Sequence, residues 1–134
     1  MTPAERLARL PECWRPGMLS LQYGVPARLV GEDDLGRWNA WDRSGVWVRY
    51  SDMVGIVPDL TDPATIGCLA AWCREVYGLD MYASTDDGYW YVSALYPDGA
   101  DVWGMSPAWR VVTEGHDTEG DAWAAAILAK LEST

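Results

Sequence analysis

The first residues whose types could do chemistry are a single histidine, His116, and the acids around it. The stretch EGHDTEGD brings Glu114, His116, Asp117, Glu119 and Asp121 close in sequence. Clustered carboxylates of this kind suit a weak hard-cation site. The spacing is not that of an EF-hand loop, and such acids also favour the N-terminus of a following helix. The preferred reading is a solvated acidic loop with no metal. Two adjacent acid pairs, Asp33–Asp34 and Asp86–Asp87, stand in turn-like sequence. Carboxylates that cleave a glycosidic bond face each other across a cleft, about 5 to 10 Å apart. Neighbours in one turn do not make that arrangement. With one histidine there is almost no material for a His-based metal set or a catalytic triad. Gly-rich phosphate loops, nucleophile elbows and dinucleotide fingerprints are missing from the sequence. The expectation is a non-enzymatic protein without catalytic residues and without a cofactor.

Cys13, Cys68 and Cys73 form an odd set. The gap between Cys68 and Cys73 fits neither a zinc knuckle nor a redox CxxC pair. The expectation is three free thiols, mostly buried.

The chain of 134 residues carries 20 acids against 10 bases, a net charge of -10, and Lys130 is its single lysine. A chain that must neutralise phosphates is normally basic. Direct binding to nucleic acid or to an anionic membrane is therefore disfavoured, and a basic protein partner is permitted. The apolar runs fall well short of the ~20 residues that span a bilayer. The start, MTPAERLARLPECW, lacks the apolar core of a signal peptide. A cytoplasmic setting is expected.

Nine Trp and seven Tyr, with no Phe, are more large amphipathic rings than one small core readily encloses. Trp38, Trp41 and Trp47 lie in short strand-like runs beside acidic turns, the nearest acids being Glu32, Asp33 and Asp34. Exposed Trp and Tyr mixed with acids suit a protein-binding surface. Candidate partner-binding residues are Glu32, Asp33, Asp34, Trp38, Trp41, Asp86, Asp87, Glu114, Asp117, Glu119 and Asp121. Stacking of a sugar or another small ligand on the Trp residues is the rival reading.

These residues need elements to position them. Thr2-Pro3-Ala4-Glu5 reads as a capped helix start, and Leu7 and Leu10 follow as a short apolar stripe that Pro11 and Pro16 end. MLSLQY, ARLVGE, RWNAW, VWVRY and MVGIV then read as five short strands separated by turn chemistry. They predict a small curled antiparallel sheet or partial barrel, SH3-like in size. The run VGIVPDL resembles the last-strand GxxPxxY stretch of SH3 domains, without its final Tyr. Next, Asp62 caps and Pro63 starts a helix that Gly78 ends. Its apolar residues fall on two flanks, so contacts with both halves of the chain are expected. Gly67 inside this helix predicts close backbone packing. LDMYAS and YWYVSALY flank the turn TDDG as a hairpin. A third strand falls in DVWGMSPAWRVVT, with Gly104 and Pro107 marking a bulge or break. Thr118 or Asp117 caps a last helix, EGDAWAAAILAKLE.

The predicted class is α+β. A short helix and small antiparallel β unit, residues 1–59, precede a helix–three antiparallel strands–helix unit, residues 60–134, and the two are expected to pack as one body. The second order resembles the double-stranded-RNA-binding domain. That family grips phosphates with Lys at the start of its last helix, where this chain has Glu119, Gly120 and Asp121. The resemblance therefore implies topology and not RNA binding. The segment PDLTDPATIGCLAAWCREVYG also resembles a DLxDPATxGCLxxLxREx(W/Y)G pattern of small phage and prophage proteins that have no assigned activity. Asp59, Leu60, Asp62 to Thr65, Gly67 to Leu69, Arg74, Glu75 and Gly78 carry the likeness. The resemblance implies a phage context and no mechanism; taken with the charge of -10, the Trp/Tyr excess and the missing catalytic set, it leads to the expectation of a phage accessory protein in the host cytoplasm that binds a host or phage protein. In its sharper form it is an anti-CRISPR-like inhibitor that mimics nucleic acid on a basic host complex. The oligomeric state is left open, with a homodimer among the options.

Overall fold

Thr2 starts the first helix as its sequence requires. Its hydroxyl accepts from the Glu5 amide at 3.1 Å, and the Glu5 carboxylate reaches back to Thr2. In the computed structural model, which describes residues 1–10, 12–99, 103, 104 and 106–132, this helix is α1, Pro3–Ala8. Pro11, expected to help end it, lies outside the described residues. The chain divides into two compact units, Met1–Cys68 and Leu69–Thr134, each described here by itself.

The first unit holds β1 (Leu19–Gln22), β2 (Val25–Glu32), β3 (Trp38–Asp42), β4 (Trp47–Tyr50) and β5 (Ile56–Pro58). All five predicted strands form. They make one antiparallel sheet in the order β4-β3-β2-β1-β5. The last strand thus returns beside the first. The run VGIVPDL supplies this strand, with Val57 opposite Leu21. Among the described residues no pairing joins β4 to β5, so the sheet stays open. The β2–β3 register shifts between Leu29 and Gly31, a bulge that adds bend and twist to the pair. One sheet face buries Ala27, Leu29, Trp38, Ala40, Tyr50 and Ile56, and α1 lies against β5 with Leu7 buried.

Helix α2, Pro63–Tyr77, begins in the first unit and continues into the second. Asp62 caps it, accepting from the Thr65 amide at 3.0 Å. Gly78 ends it with φ +65°, a left-handed geometry that a side chain would strain. The expected close packing at Gly67 is not found: the residue is exposed, and a Cβ built there meets no atom within 4 Å. Its helical position alone had suggested a contact, and nothing in the fold approaches it.

The second unit runs from α2 through β6 (Met81–Asp86), β7 (Tyr89–Tyr96) and β8 (Ala108–Val111) to α3 (Glu119–Glu132). The expected αβββα order is present, with an antiparallel sheet in the order β6-β7-β8. Asp87 and Gly88 both take positive φ, +51° and +80°, as a two-residue hairpin turn of the I′ kind needs. β8 starts just after Pro107; Asp101, Val102 and Met105 of the predicted third-strand window lie outside the described residues. Thr118, and not Asp117, caps α3, its hydroxyl accepting from the Asp121 amide at 3.2 Å. Helix α3 packs on β7 and β6, and Val92, Ala94, Trp123, Ile127 and Leu128 are core. Among the described residues no helix is long and apolar enough to cross a membrane.

Candidate functional surfaces

Residues 58–78 make a set of local and long-range structural contacts. Asp59 folds back on Thr61, accepting from its amide at 2.9 Å and its hydroxyl at 2.6 Å. Leu60 is buried. Asp62 takes a two-pronged bond from the Arg28 guanidinium on β2, and Arg28 also donates to the Gly17 carbonyl. Thr65 is fully buried. Its hydroxyl donates to Asp62 at 3.0 Å and accepts from the Leu19 amide at 2.9 Å. One carboxylate therefore fastens the sheet to the helix start. The Arg28 hydrogen bond, more than the helix cap, holds the Asp62 carboxyl below the usual carboxylate range.

All three cysteines are free. Burial pushes both Cys13 and Cys73 up to about 12, so neither is a thiolate at neutral pH. Burial also raises Cys68, which lies near the Pro16 carbonyl.

In the first unit the candidate residues separate along the sheet. Glu32 and Asp34 are exposed at the β2–β3 turn. Asp33 is consumed by that turn: it accepts from the amides of Leu35 and Arg37, each at 2.9 Å, and from Arg37 Nε at 2.8 Å. The backbone bond from Arg37 leads in lowering its pKa. Trp38 is a correction to the expected surface. It is 8% exposed, faces the core, and belongs to the fold. Trp41 faces the other way. It pairs across the sheet with Trp47 on β4, ring centroids 3.8 Å apart and tilted by 36°. The two are 39% and 53% exposed. Sequence reading had placed Trp47 among the strand rings without making it a site residue. Only the register, Trp41 opposite Trp47, brings the two together. Arg28 is opposite Trp41 on the β2 side, and Asn39 accepts from Arg49 Nε at 3.2 Å. The ring pair therefore has arginines near it, and the acids lie at the other end of β3, roughly 10 Å along the strand.

In the second unit the alternation of β-strands sorts the rings. Trp90, Val92, Ala94 and Tyr96 face one side of β7; Tyr89, Tyr91, Ser93 and Leu95 face the other. Register adds Tyr82, opposite Ser93, and Trp109, opposite Leu95, to the second face. Tyr82 and Trp109 meet edge to face, centroids 4.8 Å apart at 79°. Tyr82, Tyr89, Trp109 and Val111 are all exposed. Tyr82 and Trp109 carried no sequence signal as site residues, because their meeting depends on both pairings of β7.

The acids of this unit gather at one end of that sheet. Asp86 and Asp87 are exposed at the hairpin. His116 exchanges backbone bonds of 2.7 and 2.9 Å with Trp90, which lays the Glu114–Asp117 segment beside the same end. Gly115 permits this approach: a Cβ there would stand 3.0 Å from both Tyr89 Cβ and Tyr91 Oη. Glu114 and Asp117 are exposed. Glu119 and Asp121 sit in the first turn of α3 and complement its dipole. Glu119 also accepts from Trp123 Nε1 at 3.2 Å. Among the described residues no three His, Cys, Asp or Glu side chains are grouped to hold a metal ion. Comparison with protein-family models, curated proteins and solved structures finds no significant match.

Proposed function

We propose that this protein is a non-enzymatic binding protein that engages a protein partner through the outer face and acidic end of its three-stranded sheet. The observation that carries the reading is the gathering of Tyr82, Tyr89 and Trp109 on one exposed face, with Asp86, Asp87, Glu114 and Asp117 at its end. Tyr and Trp rings supply most interface energy when a partner excludes water from them. Acids at the edge steer a basic partner and set the salt dependence. A protein that handles nucleic acid presents such a basic surface. An accessory protein of phage origin that blocks a host nucleic-acid-binding complex by mimicry is the sharper form, and its setting rests on the likeness of residues 58–78 to phage proteins.

Affinity capture from a host lysate at low and raised salt tests this reading. The variant Tyr82→Ala/Trp109→Ala is expected to lose the partner, since truncating one hot-spot ring costs about 2 kcal/mol, or about 30-fold. Asp86→Asn/Asp87→Asn is expected to keep the partner with a flatter salt dependence. Absence of any specific partner at low salt, or equal recovery by the ring variant, overturns it.

A second reading is favoured by the exposed, tilted ring pair Trp41–Trp47, flanked by Asn39 and Arg49. Rings presented this way suit a sugar or other small flat ligand. Titration with saccharides, followed by Trp fluorescence, checks it; a saturable response lost in Trp47→Ala supports it, and silence removes it.

A further inference from the structure

An edge strand shows a row of backbone donors and acceptors that can pair with another strand unless something blocks it. The edge strand β5 ends in Pro58 and has α1 beside it. β8 begins directly after Pro107. β6 and its ends, residues 80–87, carry Asp80, Asp86 and Asp87 and no base, so a second copy would set acids against acids. β4 differs from all three. It contains no proline, its register with β3 has no shift, and Val46, Trp47 and Arg49 are exposed.

Residues of an antiparallel pair alternate between hydrogen-bonded and non-hydrogen-bonded sites. The Asp42 amide donates to the Val46 carbonyl at 3.0 Å, which makes that site a bonded one. Along the same register, Val48 and Tyr50 turn their backbone toward β3, and Trp47 and Arg49 turn theirs to the open side. Among the described residues no backbone bond reaches Trp47 or Arg49 from that side.

The strand complements a copy of itself. Turned antiparallel about Val48, a second β4 sets Trp47 of each copy opposite Arg49 of the other. Every outward amide and carbonyl of these residues then finds a partner. A guanidinium beside an indole is a favourable contact, and Arg49 is steadied for it by the bond from its Nε to Asn39. On the opposite face Val48 meets its own copy, and exposed Val46 meets Tyr50. At the strand ends the turn that carries Arg43 comes beside Asp52 of the copy. Residues 42–52 hold Asp42, Asp52, Arg43 and Arg49, a neutral stretch in a chain of net charge -10. Other registers lose this match. Centring on residue 49 sets Arg49 against Arg49. Centring on residue 47 sets Trp47 against Trp47 and leaves Arg49 opposite the Gly45 turn.

We propose that a second copy of this chain docks on β4, antiparallel about Val48, and joins two five-stranded sheets into one continuous sheet. The interface is isologous, as a two-fold dimer requires. It uses the first unit alone and stands whether or not the sheet face of the second unit binds a protein.

Sedimentation of the full chain from micromolar to millimolar concentration tests the pairing, and a monomer–dimer equilibrium is expected. Arg49→Glu removes both ring–cation contacts and should weaken the dimer about 30-fold. Arg9→Glu, the same charge reversal at the exposed end of α1, should leave it unchanged. Single cysteines read the register independently. Val48 would face its own copy at a non-hydrogen-bonded site, where Cα atoms stand about 4.5 Å apart, within disulfide range. Val48→Cys should therefore oxidise to a covalent dimer. Trp47→Cys, one residue off the two-fold axis, and Ala83→Cys, in the middle of β6, should not. The unaltered chain, with its three free thiols, sets the background. A chain that stays monomeric at every concentration overturns the proposal. So does a dimer weakened equally by Arg49→Glu and Arg9→Glu, or one that links through Trp47→Cys or Ala83→Cys as readily as through Val48→Cys.

Discussion

At the scale of single residues, Thr65 and Asp62 join the first sheet to the start of α2. The Thr65 hydroxyl is both donor and acceptor in a fully buried place, so it satisfies Asp62 and the Leu19 amide together. Thr65→Val keeps the shape and removes both bonds. Leaving a buried amide unpaired costs about 1 to 3 kcal/mol, and the denaturation midpoint should fall accordingly. Asp62 adds a pH dependence. Its carboxyl titrates lower in the folded chain than in the unfolded one, chiefly because of Arg28. Its contribution is therefore complete above about pH 4, the unfolded value, and is lost as the pH falls through the folded value. Acid titration of stability should show a shallower fall in Asp62→Asn, from a lower starting stability. An unchanged profile would show that the Arg28 pair adds nothing.

At the scale of elements, α2 shows how far one segment can be read. Its cap, its proline start and its glycine stop were legible because each is a local backbone requirement. Gly67 was not, because its neighbours in space are set by the fold. With open space around it, Gly67→Ala should stabilise the chain by up to about 1 kcal/mol. Gly78→Ala, at φ +65°, should instead destabilise it by about 1 kcal/mol or more. Thermal melts of the pair read both signs. The strands behave in the same way. Alternation and turn residues announce the eight strands of the described residues and the β6–β7 hairpin, whereas a pairing such as β1 with β5 joins strands far apart in sequence and is encoded by no local pattern. Trp41 and Trp47 are an example: each sits in a plain strand run, and the register brings their rings into contact.

At the scale of the whole molecule, a net charge of -10 does not make every surface acidic. Asp33 is spent inside its own turn, Glu119 is tied to Trp123, and Asp86, Asp87, Glu114 and Asp117 share one end of a sheet. Arginines stand near the Trp41–Trp47 pair, and Arg110 and Lys130 line one cleft. A partner that recognised only net charge would be weakened equally by neutralising any acid. The surface proposed here predicts otherwise. Asp86→Asn/Asp87→Asn should slow association with a basic partner far more than Glu32→Gln/Asp34→Asn, as stopped-flow rates at low salt would show. Equal slowing by both variants would mean that the sheet end has no special part. The sequence by itself determined the α+β class, the order of helices and strands, the caps and turns, and the free state of the cysteines. These follow from periodicity and from backbone rules that act over a few residues. The tertiary structure alone decided that Trp38 is core while Trp41 is surface, that Asp62 is bound by an arginine on β2, and that Tyr82 meets Trp109. Each of those depends on strand register and on distant residues meeting, and a change of register by one position would turn every ring to the opposite face.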